Sequence, residues 1–166
     1  MPIIKFAAVA ACVLLAGSMS ACAKPDVAKV DTAKVAETVK ADFTQLLADF
    51  NAKDVDKAVS HDAPDYVGMF HGAPNVKGPA EDAVLTRLQV SDPNMKLAAT
   101  ADAVNVSEAG DTAVVLATYD YTFTDPASKA AKTEHGNWVL GYKKQADGAY
   151  KIAWAVVSDT PAPAAK

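Results

Sequence analysis

The apolar residues of this chain change their period near residue 92. Before that point they recur every three or four positions. From about residue 95 to residue 159 they recur at every second one. Helices and strands present their faces with these two periods, so the switch separates a helical half from a strand half. In the first half Val35, Val39, Phe43, Leu46 and Phe50 are spaced 4, 4, 3 and 4, which is one face of a long helix. Asp42, Gln45 and Asp49 fall away from that stripe. "NAKD" closes the helix, and "DVDKAVSH" reads as a second, short one. "DYVGMF" is a predicted strand, entered through Pro64 and left through "HGAPN". "GPAEDAVLTRLQVSD" is a third helix. Pro79 suits its first turn, Glu81 and Asp82 suit the positive end of its dipole, and Val84, Leu85 and Leu88 form its apolar face.

Four strands follow: "MKLAATADAVNV", "AVVLATYDYTFT", "TEHGNWVLGYKK" and "YKIAWAVVSD". They are separated by "SEAGDT", "DPASKA" and "QADGA". Helices first and antiparallel strands last define the α+β class. The long helix must bury its stripe on one face of the sheet. A curved antiparallel sheet wrapped over one long and two shorter helices makes a cone, and the gap inside a cone is where small molecules bind.

Composition narrows the partners. Hydrophobic residues make up 51% of the 166, enough for a real core, and the net charge is −4 with no long basic run. Nucleic acid is therefore not an expected partner. No phosphate loop, dinucleotide fingerprint or nucleophile elbow occurs, and no cofactor is expected. His61, His71 and His135 lack ligand spacing, so no metal is expected either.

The first residues read as an address. Lys5 supplies a positive start, "FAAVAACVLLAG" an apolar stretch and "SMSAC" the small residues of a secretion signal. The apolar run falls short of the roughly 20 residues of a bilayer span. "MSAC" resembles a bacterial lipobox, with Met19 where Leu is usual, which makes Cys22 the expected lipidation site. Cleavage after Ala23 is the alternative, since "ACA" also fits a small-x-small site. The expected organisation is a signal peptide over 1–21, a tether over 22–32, a domain over 33–159 and a disordered Pro-rich tail over 160–166. Because Ala23 rather than Asp follows Cys22, the lipobox resemblance implies the periplasm and an anchor in the outer membrane. Membrane contact is then expected only through that N-terminal lipid. Cys12 leaves with the signal, so no intrachain disulfide is available to the mature chain.

"FNAKDVDKAVSHDAPDYVGMFHGAPNVKG", "SEAGDTAVV" and "GNWVLGYKKQADGAYKIAWAVVSD" resemble the SnoaL-like, ketosteroid-isomerase-like branch of the nuclear transport factor 2-like superfamily. The resemblance spans roughly residues 35–159. It implies a cone-shaped α+β barrel, often a homodimer through its sheet. Fold alone does not fix function. A steroid-isomerase-like reaction needs an aspartate base, with a Tyr and a protonated Asp to stabilise the oxyanion. On the resemblance, Leu46 stands where that Tyr belongs, Met69, Phe70 and His71 where the base belongs, and Gly136 and Asn137 where the second acid belongs. That mechanism is therefore not expected.

Three readings remain. The first is a secreted, lipid-anchored domain that binds a small apolar or aromatic molecule among Phe43, Leu46, Tyr66, Phe70, Tyr119, Tyr121, Trp138 and Trp154. The second is an enzyme of the polyketide-cyclase, dehydratase or isomerase type, with Asp120, His71 or His135 as base. The third is an envelope dimerisation module without a ligand. On alternation, Tyr119, Tyr121 and Phe123 share one face of their strand and Asp120 the other. Glu134 shares the face of Trp138, while His135 lies opposite. Trp138 and Tyr142 are expected to share a face, as are Ile152 and Trp154.

Overall fold

The computed structural model describes residues 30–160. The expected signal peptide, Cys22 and nearly all of the expected tail lie outside the described residues. Three helices and six strands follow in the order α1 (Thr32–Asn51), α2 (Val55–Val59), β1 (Asp62–Phe70), β2 (Val76–Lys77), α3 (Gly78–Val90), β3 (Lys96–Val106), β4 (Thr112–Thr124), β5 (Ala131–Lys144) and β6 (Tyr150–Asp159). The strands form one curved, unclosed sheet in the order β2-β1-β6-β5-β4-β3. The helices lie against it, so the fold is mixed α+β.

The β3–β4, β4–β5 and β5–β6 pairs are antiparallel hairpins, as short polar turns dictate. β1 pairs with β6 in parallel, and the two-residue β2 adds antiparallel to its other edge. No hairpin joins β1 to β6, so the connection leaves their relative direction free. Pro64 sits inside β1, where a register irregularity falls between Asp62 and Val67. A proline is tolerated at such a break because its missing N–H removes no ladder bond there.

α1 begins at an N-cap, Asp31, whose side chain accepts from the Lys34 amide at 3.1 Å. Its buried residues include Val39, Phe43, Leu46 and Phe50, the stripe read from the spacing. The corner after α1 is tied to β3 by Asn51, which accepts from the Leu97 amide at 3.0 Å and donates to the Leu97 carbonyl at 2.7 Å. The main core lies between α1 and the inner face of the sheet. Val39, Phe43, Val115, Leu140 and Tyr142 are its largest fully buried side chains. Phe50, Ala58, Val90 and Met95 form a smaller cluster. Burying side chains of this size is worth about 1.5–3 kcal/mol each, so the α1 contact contributes strongly to the domain's stability.

Candidate functional site

Alternation on the strands decides what the sheet shows to the helices. On β4, Tyr119, Tyr121 and Phe123 turn inward and Asp120 turns outward. On β5, Glu134, Trp138 and Leu140 turn inward and His135 outward. On β1, Asp62, Tyr66 and Phe70 turn inward. These residues and the inner side of α3 enclose a cavity of about 480 Å³. That volume lies in the range of small-molecule sites.

Six of the eight residues expected around a pocket line it: Leu46, Tyr66, Phe70, Tyr119, Tyr121 and Trp138. Phe43 and Trp154 do not. Phe43 is 2% exposed and packs edge-on against Trp138, with ring centroids 5.7 Å apart, so it backs the wall rather than forming it. Trp154 was expected to share a face with Ile152, and strict alternation would require it. The β5–β6 register slips instead: Gly141 pairs with Trp154 and Tyr142 pairs with Ile152, leaving Ala153 as the extra residue of a bulge. The bulge reverses the alternation. Ile152 and Ala155 face the cavity, while Trp154 lies over Gly141 on the other side. A Cβ at Gly141 would come within 2.0 Å of the Trp154 ring, so the glycine is what admits the indole.

One end of the cavity, between the start of β1 and α3, is acidic. Asp62 and Asp82 both line it, with their carboxyls within hydrogen-bonding reach of one another. Asp82 also accepts from the Thr86 hydroxyl at 3.3 Å. Burial, and then the charge of Asp82, push the Asp62 carboxyl up to about 8. Burial also raises Asp82, against the hydrogen bonds from Thr86 and Asp62. Tyr66, next along β1, is held above its ordinary value by burial and by both acids, and stays a neutral hydroxyl. Asp82 was read in the sequence only as a helix-dipole residue and Asp62 not at all. The signal for Asp62 was its position four residues before Tyr66. It went unread because the strand was expected to begin after Pro64, whereas β1 runs back to Asp62.

The other end carries a chain of polar groups. The Tyr119 hydroxyl donates to Glu134 Oε1 at 2.5 Å, and Glu134 Oε2 lies 3.4 Å from His71 Nε2. Burial and the neighbouring Glu134 raise Tyr119. The Tyr119 ring also covers Gly136, where a Cβ would meet it at 2.5 Å. The His71 side chain is 42% exposed, and Leu88 is 67% exposed while still lining the cavity, which marks this end as the mouth. The stacked rings of Tyr121 and Phe123 form part of its rim.

Of the three residues expected as bases, His71 alone borders the cavity. Asp120 and His135 face each other across β4 and β5 on the outer face, 2.5 Å apart, with side chains 59% and 60% exposed. They cannot reach a molecule inside the cone.

His61 is placed where the sequence gave no hint. It is 6% exposed, with Nδ1 2.8 Å from Asp42 and Nε2 3.1 Å from Asp49. Both acids come from the side of α1 read as off the buried stripe, and Asp49 is 8% exposed. Burial alone would lower the His61 pKa, but the two carboxylates outweigh it and the net direction is up. The same contact to His61 lowers Asp49. This network lies outside the cavity lining and braces α1 against the start of β1.

A SnoaL-like domain family model matches residues 39–163. Among solved structures, a ketosteroid isomerase-like protein from Erwinia carotovora atroseptica is 22% identical. The match covers 76% of this chain and 97% of that one, with a TM-score of 0.66. A nuclear transport factor 2-like superfamily protein from Salmonella enterica is 15% identical over 81% of this chain and 96% of that one, also at 0.66. The hexachlorocyclohexane dehydrochlorinase LinA-type3 from Novosphingobium barchaimii is 12% identical over 75% and 86%, at 0.64. At such identities the likeness is one of fold. No functionally curated protein matches the sequence.

Proposed function

Because the chain belongs to the SnoaL-like domain family, we propose that its cone binds a small apolar or aromatic molecule and performs no steroid-isomerase reaction. The observation that carries this reading is the cavity of about 480 Å³ with Tyr66, Phe70, Tyr119, Tyr121 and Trp138 in its walls. Aromatic walls with a few polar groups at the ends are how such sites hold and orient ligands. On the resemblance read from the sequence, Leu46 stands where the tyrosine belongs, Met69, Phe70 and His71 where the aspartate base belongs, and Gly136 and Asn137 where the second acid belongs, so the isomerase's own groups are missing. A thermal-shift panel of apolar and aromatic compounds tests the proposal. A ligand at 100 times its Kd adds about 2.7 kcal/mol of stability. A panel in which no compound raises Tm refutes it.

A second reading, an enzyme that moves a proton, is favoured by one observation. Asp62, raised to about 8, and the Glu134–His71 pair border the cavity. Deuterium exchange into simple ketones, followed by NMR, would test it. Exchange at the buffer rate counts against an enzyme.

The domain's setting is proposed from the sequence: export to the periplasm, lipidation at Cys22 and an anchor in the outer membrane. Mass spectrometry of the mature N-terminus tests this, and an unmodified chain starting at Lys24 would refute the lipid. A homodimer through the outer sheet face is proposed as well. There Leu116 and Val156 are 40% and 36% exposed. A monomer mass by light scattering would rule it out.

A further inference from the structure

The charges on the cavity wall have one sign. Asp62, Asp82, Asp92 and Glu134 line it, and no lysine or arginine does among the described residues. His71, the histidine of the lining, already faces Glu134 at 3.4 Å. Asp92 is committed elsewhere, accepting from the Thr124 amide and hydroxyl at 2.6 Å each and from the Asn94 amide at 2.8 Å. Asp62 and Asp82 remain. Asp62 Oδ2 is shut off from solvent and has no hydrogen-bond partner among the described residues. Two nearby positive groups act on Asp62 without pairing with it: the His61 ring bonds Asp42 and Asp49, and Lys151 donates to the Ser60 carbonyl. Two buried carboxyls that act on one another with no cation between them favour keeping one proton in common.

We propose that the cavity selects organic cations, taking an ammonium group on an apolar or aromatic body, with the positive charge in place of the proton shared by Asp62 and Asp82. The proposal rests on the ligand-binding reading above and sharpens it. An incoming cation supplies the counter-charge that the fold omits, and one proton leaves the pair for solvent as it binds. The Tyr66 ring, beside the two acids, adds cation–π attraction, and the remaining aromatic walls cover the rest of the molecule. A carboxylate or phosphate would meet four acids in a low-dielectric enclosure and be repelled. A neutral molecule would gain apolar burial alone. The groups that act on Asp62, or feel its charge, are Asp82 on α3, His61 and Tyr66 on either side of it in the chain, Tyr142 on β5 and Lys151 on β6. Burial holds the Tyr66 and Tyr142 hydroxyls neutral while the pair gives up its proton, and the His61 ring is engaged by its own two acids.

The test is calorimetric binding of three probes to the purified protein: phenyltrimethylammonium, its neutral isostere tert-butylbenzene, and benzenesulfonate. The ammonium is expected to bind about tenfold or more tighter than the isostere, with the sulfonate weakest. Its own charge does not titrate, so its affinity should rise between about pH 6 and about pH 9 as the pair loses its proton. Asp62→Asn and, independently, Asp82→Asn should erase the preference while keeping affinity for the isostere, with folding checked by circular dichroism. Equal binding of ammonium and isostere overturns cation selectivity and leaves the ligand-binding reading standing. A preference that survives in both variants overturns the assignment of the cation to the Asp62–Asp82 pair. If none of the three probes binds, both readings fall.

Discussion

Replacing Asp62 by Asn should stabilise the protein at alkaline pH and flatten its dependence on pH. In the folded chain the Asp62 carboxyl is pushed from 3.8 up to about 8, by burial first and then by Asp82. The folded state therefore holds this proton where the unfolded chain has lost it. Stability is fully present below about pH 4 and is drained as pH rises toward about 8. A shift of about four pH units at 1.36 kcal/mol each sets a ceiling of about 6 kcal/mol. Water at the cavity and the shared proton with Asp82 reduce this, and about 2–3 kcal/mol is expected at pH 9 or so. Asn keeps the size of the side chain and offers Asp82 an amide donor in place of the proton. The assay is urea denaturation of both proteins at about pH 5, 7 and 9. His61, whose pKa is also raised, adds a loss of the same sign as pH rises through its folded value. The difference between wild type and variant is thus the quantity that isolates Asp62. A wild-type curve as flat as the variant's, or a variant no more stable at the alkaline end, would refute the buried-pair reasoning.

Other substitutions probe the scaffold. His61→Ala leaves Asp42 and Asp49 without their partner and should cost about 3–5 kcal/mol in chemical denaturation; a cost under about 1 kcal/mol would mean the network is not formed. Gly141→Ala drives a methyl into the Trp154 ring, 2.0 Å away, and should cost about 1–3 kcal/mol. Adding Trp154→Ala to it should recover most of that loss, since the clash partner is gone. Phe43→Ala should cost about 3–5 kcal/mol by emptying the space behind Trp138. Asp120→Asn and His135→Ala, on the outer face, should leave affinity for any cavity ligand unchanged by calorimetry; a loss of binding would relocate the site.

The helix stripe and the strand alternation were legible because each is a local property of the chain. Val39, Phe43, Leu46 and Phe50 repeat with the helical period, and the buried face of α1 is the one they mark. Likewise the opposition of Asp120 to Tyr119, and of His135 to Trp138, followed from the pleat. Alternation says which residues share a side but not which side is inside. That needed α1 and α3 to settle on one face, and it sent Asp120 and His135 outward. Trp154 was misplaced because one bulged residue, Ala153, inverts the rule for the rest of β6.

By itself the sequence determined the α+β order, the long amphipathic helix and, on β4 and β5, which residues share a face, since periodicity is written residue by residue. The acidic end of the cavity and the Asp42–His61–Asp49 bridge were decided by tertiary structure alone. Asp62 and Asp82 stand 20 positions apart on a strand and a helix, and His61 reaches back to α1. Each of these groups looks like an ordinary solvated residue until packing removes the water around it. The loss of that water then raises the pKa of an acid or obliges a histidine to find a carboxylate.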